Sequence, residues 1–174
     1  MEDGKRLSDY VGKSLLLVQP EFFRRDYQLK DGVEIVASIT HPKWYRSNFI
    51  VEWGKMKWEV YKPSIWKSLL EIKEINKQLP FASYTRKGFK SGGTINLPMG
   101  QKLNLVFKTF KGSYEIQNMN GECLVLIKDK FSLKDKTEFT IQQRSELIDK
   151  YPWVILVAWY ISAQRRNHSV AAAS

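Results

Sequence analysis

Hydrophobic and polar residues alternate along most of this chain, and near its end the alternation stops. In residues 56–62, Met56, Trp58 and Val60 alternate with Lys57, Glu59 and Tyr61, the period-two pattern of a strand with one buried and one wetted face. Short strand-like runs recur at 14–18, 21–29, 33–39 and 48–53, and again at 94–97, 102–108, 113–118, 122–128 and 137–143. Turn residues separate them. Lys30-Asp31-Gly32, Gly54-Lys55 and Asn120-Gly121 are hairpin signals, because Gly and Asn tolerate the positive φ that tight hairpin turns need. Residues 145–150 predict a helical turn, and 128–136 a charged loop.

The exception is residues 151–163, thirteen positions without a charge and with only Ser162 strongly polar. Pro152 suits a first helical turn, where its missing N–H has no intrahelical role. Arg165 and Arg166 suit a last turn, where exposed carbonyls favour cations. The apolar residues run all round the helix, so it must be enclosed by protein or by lipid. Thirteen residues span roughly 20 Å, short of the roughly 30 Å hydrocarbon core of a bilayer. A buried helix is the favoured reading, with membrane insertion and a long buried strand as alternatives. Residues 1–13 read as a loose lead-in, 14–166 as one domain, and 167–174 as a mobile tail of small residues.

Residues 64–74 fit either a helix or a strand, and an internal repeat decides. Pro20, Phe22, Phe23, Arg24, Gln28 and Leu29 meet Pro63, Ile65, Trp66, Lys67, Glu71 and Ile72 at an offset of 43, and Val36-Ala37-Ser38 meets Phe81-Ala82-Ser83 at 45. A repeated hairpin makes 64–74 and 79–85 strands. The expected fold is mainly β: a closed antiparallel β-barrel of about 12 strands, since closure removes both exposed edges. Such a ring is too wide for its own side chains to fill. The 151–163 segment is the filler, with Trp153, Ile155, Leu156, Val157, Trp159 and Tyr160 as the core of a central C-terminal helix.

This arrangement resembles the tubby C-terminal-like superfamily, in its LURP-one-related and phospholipid scramblase branch. The resemblance rests on the aromatic-basic hairpin 22–32, the late pair 121–127 and 137–141, and the terminal 151–160, in that order and spacing. It implies a 12-stranded barrel of two similar halves around a C-terminal helix, and binding of phosphoinositide head groups through basic side chains. The scramblase branch also carries a short acidic calcium motif near the last helix. Here Lys128-Asp129-Lys130 and Lys134-Asp135-Lys136 flank their acids with lysines, a poor cradle for a divalent cation.

Composition narrows the chemistry. The 174 residues hold 28 Lys and Arg against 18 Asp and Glu, a net +10 spread along the chain. Such a surface favours anionic lipid, an acidic protein or nucleic acid. One cysteine, Cys123, excludes an internal disulfide, and the charged N-terminus leads into no adequate signal sequence. A cytoplasmic chain, peripheral at a membrane, is therefore expected. His41 and His168 are the only histidines; no metal set, nucleotide loop or nucleophile elbow is present, so no cofactor, metal or catalytic residue is expected. The remaining candidates are two basic stretches interleaved with rings. Lys43, Trp44 and Arg46 form one, and Arg86, Lys87 and Lys90, around Phe89, form the other. Cations attracted to an anionic surface and rings at its interface would make them a lipid head-group site. Phosphate contacts with base stacking would serve single-stranded nucleic acid, the less favoured partner.

Overall fold

In a computed structural model of the protein, the described residues are 5–21, 25–42, 48–64, 69–88, 92–108, 112–130 and 136–171, with side chains described to 166. Twelve strands follow one another. β1 (Ser14–Val18), β2 (Tyr27–Asp31), β3 (Glu34–Thr40), β4 (Phe49–Trp53), β5 (Met56–Tyr61) and β6 (Leu69–Glu74) make the first half. β7 (Ala82–Arg86), β8 (Gly93–Asn96), β9 (Lys102–Lys108), β10 (Ser113–Gln117), β11 (Cys123–Lys130) and β12 (Lys136–Ile141) make the second. Each strand pairs antiparallel with its sequence neighbour, and β1 pairs with β12, Leu15 opposite Phe139, to close the barrel. Closure leaves no unpaired edge to template aggregation.

The expected repeat is visible as register. Leu29 faces Ala37 across β2 and β3, and Ile72 faces Ala82 across β6 and β7; these are the pairs that the two offsets equate. The copies lie four strands apart in a ring of twelve, so the repeated unit is a hairpin rather than a half-barrel. Some boundaries move. β2 begins at Tyr27 and runs through Asp31, so the turn is Gly32-Val33, with Gly32 at φ +59°. Lys128–Lys130, read as loop, extend β11.

A short helix α1 (Glu146–Lys150) leads through Tyr151-Pro152-Trp153 into α2 (Val154–Ala171). The contacts of α2 place it inside the ring. Its Tyr160 ring lies 4.2 Å from Phe49 of β4, and its Trp159 ring 4.4 Å from Tyr27 of β2. On the other side, its Arg165 guanidinium lies 4.4 Å from the Phe107 ring of β9, and Arg166 pairs with Asp129 of β11. Strands β4 and β10 are six apart in the ring of twelve, hence opposite, and Ser162 of α2 faces Tyr114 of β10. Only an axial element touches both walls. Residues 153–158 have no solvent exposure at all, and Trp159 and Tyr160 are buried. The all-round apolar pattern is thus the signature of a protein enclosure. Among the described residues no helix is long and apolar enough to cross a membrane.

Two expectations at the termini need correction. Residues 167–171, read as part of a mobile tail, continue α2; Arg165 and Arg166 therefore stand inside the helix rather than in its last turn. The lead-in is not loose from Lys5 onward. Leu7–Tyr10 forms a 3₁₀ turn whose Leu7 and Tyr10 are buried in the core. The Ser8 N–H donates to the Asp149 carboxylate of α1 at 2.7 Å, and the Trp53 indole N–H donates to the Lys5 carbonyl at 3.0 Å. One apolar pair three residues apart, among charges, gives no periodicity by which sequence alone could detect this plug.

Val157→Asp tests the enclosure. An unpaired carboxylate there costs several kcal/mol, against a typical domain stability of about 5–15 kcal/mol. The variant is expected to lose cooperative urea unfolding and to accumulate insoluble; a soluble variant with a wild-type unfolding curve would contradict the axial position.

Candidate functional site

Topology sorts the connections between strands into two sets. The chain leaves β1, β3, β5, β7, β9 and β11 at one end of the barrel, and that is also where α2 emerges. The six connections at that end, 19–26, 41–48, 62–68, 87–92, 109–112 and 131–135, hold ten Lys and Arg against three Asp and Glu, and Arg165 and Arg166 add two more. That is a net +9 of the total +10. The opposite end, with residues 1–13, the five other connections and 142–153, holds seven Lys and Arg against six Asp and Glu, a net +1. Charge that is spread along the sequence thus falls mainly in the connections that join strands at one mouth, where Arg25, Lys62 and Lys87 are among the described residues and the other seven Lys and Arg lie outside them.

Aromatic residues segregate in the same way. In the sequence, each of the six connections that join strands at the basic mouth includes at least one ring residue, Phe22, Trp44, Trp66, Phe89, Phe110 and Phe131, all of which lie outside the described residues. At the other end the inter-strand connections include only Phe81, which packs 5.9 Å from Trp153. The two basic-aromatic stretches leave from Thr40 and Arg86, the mouth ends of β3 and β7, and so belong to one face. Lys43, Trp44, Arg46 and Lys90 themselves lie outside the described residues; Arg86 and Lys87 are described, exposed and at the rim. Arg86 Nε donates to the Gly88 carbonyl at 3.2 Å, and the Lys87 N–H donates to the Gly92 carbonyl at 2.9 Å. Gly92 is required here: at φ +92°, a Cβ would come within 1.8 Å of the Leu105 carbonyl oxygen.

Below the rim a polar cluster lines the mouth between α2 and β7–β11. Tyr84, two residues before Arg86 on the inward face of β7, lays its ring across Gly93, where a Cβ would approach that ring to 2.5 Å. Its hydroxyl is buried and has no hydrogen-bond partner among the described residues. Burial pushes the Tyr84 phenol up to about 12, and the nearby Arg86 and Arg165 partly offset this. Tyr114 faces Ser162 of α2 without closing a well-formed hydrogen bond, and burial raises its phenol strongly. Asp129 is already engaged: it accepts from the Thr137 hydroxyl at 2.8 Å and pairs with Arg166. The cluster thus brings the Arg165 and Arg166 guanidinium groups and the buried Tyr84 and Tyr114 phenols together on the wall of the mouth. Arg165, Arg166 and Tyr84 escape sequence reasoning, because nothing local says that α2 ends beside β7 and β11.

His41 and Cys123 have structural roles. The His41 ring lies tilted against Phe49 at 5.8 Å between centroids, its Nδ1 donates to the Arg25 carbonyl, and its backbone N–H donates to the Asp26 carboxylate at 3.1 Å. It pins one mouth connection to the next. Burial raises the Cys123 thiol to about 11, helped by Glu115 and opposed by Lys108, so at neutral pH it stays a protonated, weakly nucleophilic thiol.

Burial lowers the His41 imidazole below its ordinary 6.5, against the opposing Arg25 carbonyl and Asp26. Below that ordinary value the unfolded chain binds a proton that the folded chain resists, so stability is full above it and falls as pH drops towards the folded value. Urea midpoints should fall from neutral to mildly acidic pH more steeply in the wild type than in His41→Gln. Parallel profiles would contradict this assignment. Compared with protein-family models, with curated proteins and with solved structures, the chain matches none.

Proposed function

We propose that this chain is a non-enzymatic binding module that recognises anionic lipid head groups, phosphoinositide-like in chemistry, at a membrane surface through its basic mouth. The observation that carries the reading is the collection of a net +9 and six ring-bearing connections at one end of the barrel. A planar anionic surface attracts each nearby Lys or Arg by about 1 kcal/mol, while rings favour the interfacial layer. An end-on approach brings all six connections to that surface together. Lys43, Trp44, Arg46, Arg86, Lys87 and Lys90 are the proposed surface contacts, and Arg165 the cation behind them in the mouth. Kinship with tubby-like barrels is part of the proposal, supported by twelve strands closed around a C-terminal helix.

Co-sedimentation with vesicles tests it. Binding is expected with phosphatidylserine- or phosphoinositide-containing vesicles, to weaken with salt, and to be absent with zwitterionic ones. Replacing Arg86, Lys87 and Lys90 by Gln removes about 3 kcal/mol, roughly a hundredfold in partitioning. Equal binding to both vesicle types, or an unchanged triple variant, would refute the reading. A stable acidic protein partner captured without lipid would favour the alternative, a basic interaction scaffold.

A further inference from the structure

Two features of the mouth wall lower stability, and both serve one phenol. Tyr84 is 4% exposed, and its hydroxyl finds no hydrogen-bond partner among the described residues. A buried, unpaired hydroxyl carries a desolvation penalty that a phenylalanine ring of the same shape would not. The second feature is Gly93. A glycine inside a strand packs no side chain and loses more chain entropy on folding than any other residue. Here a Cβ would come within 2.5 Å of both the Tyr84 ring and the Thr85 carbonyl oxygen. Its absence lets the ring lean from Tyr84, opposite Ile95, over Gly93 at the mouth end of β8. Unfavourable local choices that converge on one group mark functional positions.

The neighbours of this phenol say what it lacks. Ser162, Arg165 and Arg166 stand on one face of α2, at i, i+3 and i+4. Arg165 places its guanidinium 4.4 Å from the ring of Phe107, which pairs with Tyr114 across β9 and β10. The Phe107 and Tyr114 rings are 5.9 Å apart. Arg165 and Arg86 are both within electrostatic reach of the Tyr84 hydroxyl, and guanidinium groups only donate. The carboxylate of the cluster, Asp129, already accepts from Thr137 and pairs with Arg166. The missing group is therefore an acceptor. Between a phenol donor and two guanidinium groups, the acceptor that forms the strongest hydrogen bonds is an oxyanion. A phosphate ester fits better than a planar carboxylate, because its tetrahedral oxygens can meet donors that arrive from β7 and from α2 in different directions.

We infer that Tyr84 and Arg165, with Arg86 at the rim, form a discrete subsite for one phosphate monoester inside the mouth. The inference rests on the reading of the mouth as a head-group surface, and adds a point of specific recognition to the diffuse attraction of its cations. The phosphate accepts a hydrogen bond from the Tyr84 hydroxyl. The Arg165 guanidinium moves from the Phe107 ring onto the anion, and that movement uncovers the phenol. A charge-assisted hydrogen bond thereby replaces a weaker cation–π contact. A lipid head group and free phosphate present the same oxygens, so the chemistry is shared and the source is settled by experiment.

Thermal melting and isothermal titration of the full chain test the subsite, with inorganic phosphate and a soluble inositol trisphosphate, each against sodium chloride at equal ionic strength. Both anions should raise the wild-type melting temperature above the chloride control. Tyr84→Phe should bind them about tenfold more weakly. Without ligand it should melt no lower than wild type, because it removes a hydroxyl that had no partner. Arg165→Gln should weaken binding to a similar degree. Tighter binding of the inositol trisphosphate makes a head group the source and equal affinity makes it free phosphate; either result supports the subsite. A wild type unmoved by both anions, a Tyr84→Phe that binds equally, or an unliganded Tyr84→Phe that melts clearly lower would overturn it. Failure of the surface reading looks different: the wild type then binds soluble phosphate esters but no anionic vesicle.

Discussion

Twelve antiparallel strands closed into a ring enclose more space than their inward side chains can fill, and the rest of this structure follows from how that space is occupied. The occupant must be apolar on every side, must satisfy its own backbone hydrogen bonds, and must be long enough to reach from one end to the other. An α-helix meets all three conditions. Residues 153–160 supply it, with Trp153, Trp159 and Tyr160 reaching walls that a smaller side chain would leave uncovered. Barrel and helix are thus mutually dependent: without the helix the ring is hollow, and without the ring the helix is an insoluble segment.

The axial helix also gives the barrel two unlike ends. Where α2 enters, the 3₁₀ turn Leu7–Tyr10 and α1 form a plug tied by Ser8 to Asp149 and by Trp53 to Lys5. Where it leaves, the helix becomes more polar and delivers Arg165 and Arg166 among Tyr84, Phe107 and Asp129. One end is therefore closed by apolar packing; the other is lined by phenols and guanidinium groups. The same chain direction that stabilises the core makes the basic mouth.

Much of the fold was legible in the sequence because its signals are local. Residues 102–108 alternate clearly and form β9 over those positions, and Gly54-Lys55 closes the β4–β5 hairpin. The offsets of 43 and 45 carried real register, since Leu29–Ala37 and Ile72–Ala82 are the paired residues. What was illegible is what needs long-range pairing. Leu7 and Tyr10 look like part of a polar arm until Asp149, 141 residues after Ser8, is seen to hold the arm down. The positive charge looked dispersed because its period is two connections, 21 to 25 residues from one start to the next, and no window of helical or strand length detects it. Arg165 looked like a helix terminus, since the small residues after it give no apolar signal to extend α2.

Native-state hydrogen exchange along α2 is the most direct measurement of whether this helix is the axis of the fold. If it is, the amides of residues 157–162 open only when the whole barrel does. Their exchange would then report the same free energy as the central strands and as global denaturant unfolding. Amides of α2 that exchange many orders of magnitude faster than those of β4 and β10, in a barrel that stays folded, would show that the strands hold together without their core helix, and would contradict the account.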